Sequence, residues 1–149
     1  MASSTQHLIF IYLLVCGMLS VGFEFKYLKY CGPPDKTLKY KITPWPKLKP
    51  GQPVDITVSF TPGVDIFSST LQSVIKNNGH IVSRGPRDIK CSKMPQICNL
   101  AAGETYTLSY NYDHIPNIPL GVKGALYAKG ELYNQDQVMW FCVEAEGVI

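Results

Sequence analysis

The residues of this chain best suited to chemistry are its five cysteines and three histidines, and their spacing decides which chemistry is open to them. The stretch KCSKMPQICN, residues 90–99, places six residues, Pro95 among them, between Cys91 and Cys98. Such a pair can be half of a metal clip, a redox couple or a covalent staple. A structural zinc site would be expected to show CxxC-type spacing, and none occurs. Beyond the first 22 residues only His80 and His114 could add imidazole ligands, so no metal is expected. A catalytic dithiol would also favour CxxC. A staple requires an oxidising compartment, which turns attention to the amino terminus.

Residues 1–22, MASSTQHLIFIYLLVCGMLSVG, contain no Asp, Glu, Lys or Arg. The apolar run from Leu8 to Val15, extended loosely to Leu19, is short for a membrane span. Ser20 and Gly22 supply the small residues that precede a signal-peptidase cut, so a secretory leader of residues 1–22 is expected, with cleavage before Phe23. Cys16 would leave with it. Cys31, Cys91, Cys98 and Cys142 then remain, an even number with three pairings open. We take Cys91–Cys98 as a local staple and Cys31–Cys142 as a tie between the chain ends.

The mature part, residues 23–149, is the size of one domain. It holds all 14 basic and 11 acidic residues, and a net charge of +3 is too mild for a nucleic-acid partner. The charge is uneven. Lys26, Lys29, Lys36, Lys39, Lys41, Lys47 and Lys49 crowd residues 23–50 against only Glu24 and Asp35. Such an edge suits anionic lipid headgroups, and it equally suits a solvated strand edge guarded by lysines.

The elements that position these residues read as strands. VDITVSFT alternates Val54, Ile56, Val58 and Phe60 with polar residues, and YTLSYNY does the same from Tyr106 to Tyr112. Residues 37–43, 71–76, 80–84, 122–132 and 138–145 are further strand candidates. Turn signals separate them, the best being Asn78-Gly79, with Asn134-Gln135-Asp136 as a polar hairpin tip. Seven or eight short strands at this spacing predict an all-β, immunoglobulin-like antiparallel β-sandwich. No GxSxG, HExxH, Walker loop or dinucleotide fingerprint occurs. Asp113 and His114 are sequence neighbours that point apart on a strand, so they form no dyad by themselves. No enzyme activity, catalytic residue or cofactor is expected.

The segments FKYLKYCG, KITPWPKLKPGQPVDITVSF, CSKMPQICNLAAGETYTLSY and NQDQVMWFCVEAE together resemble the ML-domain (MD-2-related lipid-recognition) family. The likeness covers almost all of residues 23–149 and keeps the order and spacing of the four cysteines. It implies the same pairing, Cys31–Cys142 and Cys91–Cys98. Where the family's animal sterol carriers have a further short-range bridge this chain reads TPWPKLKPG. There it is more similar to the plant and fungal phosphatidylglycerol/phosphatidylinositol transfer branch. No Asn-x-Ser/Thr occurs, which closes a mannose-phosphate route to the lysosome.

The resemblance implies two sheets that do not fill the space between them, leaving a lipid cavity. Candidate lining residues on the inner faces are Val58, Phe60, Val82, Leu108, Tyr110 and Val122. Candidate mouth residues are Ile66 and Phe67 in VDIF, and Ile115, Ile118 and Leu120 in HIPNIPLG, which aligns with the family's pocket-entrance segment. Each would also serve as an ordinary core residue of a sandwich. Trp45, between two prolines, is expected to cap the sandwich, with contact to a membrane surface as the alternative, and Trp140 to lie in the core. The implied function is a lipid-binding and transfer protein carrying a sterol or phospholipid. It would be secreted, or reside in the lumen of the endolysosomal or vacuolar system. Its implied partners are the lipid, anionic membranes in transient contact, and a membrane receptor or transporter. The alternative is a lipid-sensing recognition subunit of a receptor or innate-immunity complex.

Overall fold

Alternation of apolar and polar side chains builds both sheets. In β4 (Val54–Phe60) the side chains of Val54, Ile56, Val58 and Phe60 are buried while Asp55 faces water. β4 pairs antiparallel with β2 (Lys39–Thr43) on one side and β7 (Tyr106–Tyr112) on the other, giving a three-stranded sheet in the order β2-β4-β7. The computed structural model describes residues 22–49, 51–113 and 123–149. The second sheet has six strands in the order β3-β1-β9-β8-β5-β6, all antiparallel. They are β1 (Phe23–Tyr30), β3 (Lys47–Leu48), β5 (Ser69–Asn77), β6 (His80–Ile89), β8 (Ala125–Tyr133) and β9 (Met139–Val148). A short 3-10 turn over Pro95–Ile97 spans the Cys91–Cys98 loop. The molecule is an all-β sandwich of immunoglobulin-like type.

β1 carries a pairing irregularity. Its register against β9 shifts between Phe25 and Tyr27, a β-bulge that changes the phase of its alternation. Phe23 and Phe25 are buried before the bulge, and Leu28 and Tyr30 become the core-packed residues after it. Phe25 stacks on Trp45, with ring centroids 4.7 Å apart, and that pair closes one end of the sandwich. Ile66, Met94, Ile97 and Leu100 fill the other end, where Ile66 and Leu100 exchange backbone hydrogen bonds of 2.9 Å each way. Both disulfides are present, Cys31–Cys142 across 111 residues and Cys91–Cys98 across 7.

Two turns follow local chemistry. Asn78 (φ 49°) and Gly79 (φ 82°) both take left-handed conformations, as a two-residue hairpin between β5 and β6 requires. The β8–β9 tip is held by Asn134, whose Oδ1 accepts from the Asp136 and Val138 amides at 3.0 and 2.9 Å.

Gly147 on β9 marks a close approach. A Cβ there would overlap the Phe23 ring and stand 2.6 Å from the Glu24 carbonyl oxygen. The oxygen belongs to backbone that is itself held in the sheet, so it cannot swing away. Gly147→Ala is therefore expected to lower stability by about 2–3 kcal/mol, the cost of overpacking a close-packed interior. A chemical-denaturation midpoint equal to wild type would show that β1 yields at this point.

Candidate functional site

Between the inner faces lies a small apolar gap, on the side where β1 of the large sheet faces β2 of the small one. Nine residues line it: Leu28 and Tyr30 of β1, Leu38, Tyr40 and Ile42 at and before β2, Ile56 and Val58 of β4, and Phe141 and Val143 of β9. None carries a formal charge. The enclosed volume is about 20 Å³, and a groove of about 310 Å³ lies outside it, lined by Leu28, Tyr40, Lys41, Ile42 and Trp45.

The wall follows from the strand patterns. In LKYKI, Leu38, Tyr40 and Ile42 all reach the gap, Tyr40 while still half exposed, and Lys39 and Lys41 between them stay in solvent. On β4 the buried Val58 sits opposite Tyr40 on one side and Leu108 on the other, and Ile56 lies between Ile42 and Tyr110. Burial pushes the Tyr30 hydroxyl up to about 12 and does the same to Tyr110. Both present neutral hydroxyls at any physiological pH. An apolar wall of this kind disfavours an ion and favours hydrocarbon chemically, while its present volume of about 20 Å³ is that of roughly one methylene.

The structure sorts the residues singled out from sequence. Val58 lies on the wall of the gap. Leu108 and Tyr110 are inward-facing on β7, the former half-buried and the latter buried. Phe60 is buried in an aromatic cluster with Trp140, Phe141 and Tyr106, at centroid distances of 5.6, 5.9 and 6.2 Å. Trp140 is in the core, and Trp45 stacks on Phe25 with 45 % of its surface exposed.

Two expectations are corrected. Ile66 is not at a mouth: it is fully buried, because its bridge to Leu100 draws it into the core. Val82 is not an inner-face residue shielded by the opposite sheet. It is 60 % exposed at an irregularity of the edge strand β6, where the register against β5 jumps from Ser83 to Ile81. Phe67 is 61 % exposed on the surface, its amide donating to Gln135 Oε1 at 3.0 Å. Ile115, Ile118, Leu120 and Val122 lie outside the described residues.

Of the nine lining residues the sequence reading had only Val58; it missed Leu28, Tyr30, Leu38, Tyr40, Ile42, Ile56, Phe141 and Val143. For Leu38, Tyr40 and Ile42 the signal was present in the L-K-Y-K-I alternation. For Leu28 and Tyr30 it was scrambled by the bulge.

The lysines near the gap fall into two groups. Lys26, Lys29 and Lys47 lie 3.5 Å from Glu146, Glu144 and Glu24 respectively. Lys36, Lys39, Lys41 and Lys49 have no carboxylate partner among the described residues. Positive charge is thus uncompensated on the β2 edge, beside the groove. Asp35, at the start of the loop leading into β2, is engaged elsewhere. Its carboxylate accepts from Thr37 Oγ1 at 2.7 Å and from the Thr37 and Thr61 amides at 2.8 Å. Burial raises its pKa, but these hydrogen bonds outweigh burial and hold it below the usual carboxylate range.

The ML-domain model, E1_DerP2_DerF2, matches residues 27–148. No curated protein sequence matches. Among solved structures, chicken MD-1 complexed with lipid IVa superposes with a TM-score of 0.64 at 17 % identity, covering 85 % of this chain and 89 % of that one. A Niemann-Pick type C2 protein from Japanese carpenter ant gives a TM-score of 0.50 at 12 % identity, covering 79 % and 96 %. At these identities the two structures establish a shared fold, while the family match spans most of the sequence. The chain belongs to the ML-domain family of lipid-recognition proteins.

Proposed function

We propose that this chain is a secreted lipid-binding and transfer protein that carries a sterol or phospholipid with its apolar part between the two sheets. The observation that carries the reading is the uncharged, nine-residue wall of the gap between β1–β9 and β2–β4. Each methylene moved from water onto such a wall gains about 0.8 kcal/mol, so a single acyl chain supplies enough to hold a ligand after ordering costs. Two disulfides, and an apolar stretch of residues 1–22 without Asp, Glu, Lys or Arg, support an oxidising, extracytoplasmic location, in the extracellular space or an endolysosomal or vacuolar lumen. Lipid IVa in the related MD-1 structure supports a lipid as the ligand class.

The test is native mass spectrometry of the secreted protein, followed by solvent extraction and identification of what it carried. Excess mass that is lost on denaturation and recovered as lipid is the expected result. Protein mass alone, together with no uptake from lipid vesicles, overturns the reading.

Transfer between vesicles is expected to quicken when the acceptor contains anionic lipid and to slow with added salt. Lys36, Lys39, Lys41 and Lys49 then act as the contact. Equal rates on neutral and anionic vesicles would assign those lysines to a solvated edge.

A further inference from the structure

Two sheet edges confront each other across the gap without pairing. On the large sheet, β3 covers only Phe23 and Glu24 of β1, and the Phe25 amide is taken by the Pro46 carbonyl at 3.0 Å. On the small sheet, β2 is the terminal strand. Among the described residues one hydrogen bond joins β1 to β2, from the Tyr40 hydroxyl to the Leu28 carbonyl oxygen at 3.1 Å. Leu28, Tyr40 and Ile42 line both the enclosed gap and the outer groove. They are therefore the partition between inside and outside. The Tyr40 side chain is the latch on that partition, and 47 % of its surface faces water.

We propose that the β1–β2 side is a tyrosine-latched opening through which a single-chain anionic amphiphile, a fatty acid or a lysophospholipid, enters the inter-sheet space. This rests on the lipid-binding reading above. Rotation of the exposed Tyr40 side chain breaks that one hydrogen bond and removes one of the three side chains of the partition; the gap of about 20 Å³ then widens around the entering chain. One alkyl chain demands less widening of so small a gap than two chains would. The charge complements the headgroup: Lys41 lines the groove, and neither it nor Lys39 has a carboxylate partner among the described residues. Trp45, half exposed on the groove's other wall, offers an aromatic surface suited to the boundary between headgroup and chain.

The experiment is stopped-flow uptake and release of cis-parinaric acid and of its uncharged methyl ester. It uses delipidated protein secreted from cells expressing residues 1–149, as wild type, Tyr40→Phe and Lys41→Glu. Removing a latch hydrogen bond worth the usual net value is expected to speed both uptake and release of either probe by about fivefold. Lys41→Glu is expected to slow uptake of the acid by about fivefold and to leave the ester at the wild-type rate. If wild type binds the probes saturably and both variants keep wild-type rates, the lipid-binding reading stands and the opening is overturned. If Tyr40→Phe is faster while Lys41→Glu treats acid and ester alike, the latch stands and the anionic headgroup is overturned. If wild type binds neither probe, the lipid-binding reading itself fails and the opening falls with it.

Discussion

Cys31→Ser in the secreted protein is expected to lower stability by about 4.8 kcal/mol, against about 2.5 kcal/mol for Cys91→Ser. The difference is one of loop size. Cys31 and Cys142 are 111 residues apart in sequence, while Cys91 and Cys98 are separated by 7. Releasing the long loop returns far more conformational freedom to the unfolded chain. In the native state the bridge sits where the β1–β9 pairing ends, the Cys31 amide donating to the Cys142 carbonyl oxygen at 3.0 Å. Cys142 is almost fully buried, so its freed thiol gains no new solvation in the native state. Against a typical domain stability of roughly 5–15 kcal/mol, the first loss removes a third or more and the second considerably less. Urea midpoints of the two variants, measured beside wild type, check the order. A Cys91→Ser protein as unstable as Cys31→Ser would mean that the Pro95–Ile97 loop, rather than the tie between chain ends, holds the domain together.

Phe60→Asp is expected to abolish folding. Phe60 is buried where three other rings, Tyr106, Trp140 and Phe141, meet it from β7 and β9. Truncating such a phenylalanine costs about 3–5 kcal/mol. A carboxylate in its place has no basic group among the rings around it and adds an unpaired buried charge. Together the two terms reach the range of a whole domain's stability. The variant should be retained by the secretory quality control of an expressing cell and show no cooperative thermal transition. Phe60→Leu, which keeps much of the volume, should melt cooperatively at a lower temperature. A cooperative melt from Phe60→Asp would show that the ring cluster is peripheral and that the core is centred on the wall of the gap instead.

These two results concern residues whose importance differs in how it can be read. The alternation of VDITVSF and YTLSYNY on its own determined two strands and their buried faces, because side chains two apart share a face whatever the strand pairs with. Asn78-Gly79 determined a hairpin because few other pairs adopt two positive φ values at low cost. The four cysteines, read through loop length and family likeness, determined both bridges. The family itself was legible in the cysteine-bearing segments. β1 escaped because its bulge between Phe25 and Tyr27 moves the inward residues from odd to even positions, and a period-two pattern cannot show a shift set by pairing with β9. Val82 and Ile66 were misplaced for a related reason. Their burial depends on which element covers them, and sequence states only that they are apolar. Ile66 is covered by Leu100 and Val82 by nothing comparable on the edge strand. The gap is the clearest case. Its wall draws on β1, β2, β4 and β9, and the Tyr40–Leu28 hydrogen bond joins two strands of different sheets. Local patterning specifies which face of each strand is apolar, but only the packing of one sheet over the other decides which edges meet and where space is left between them.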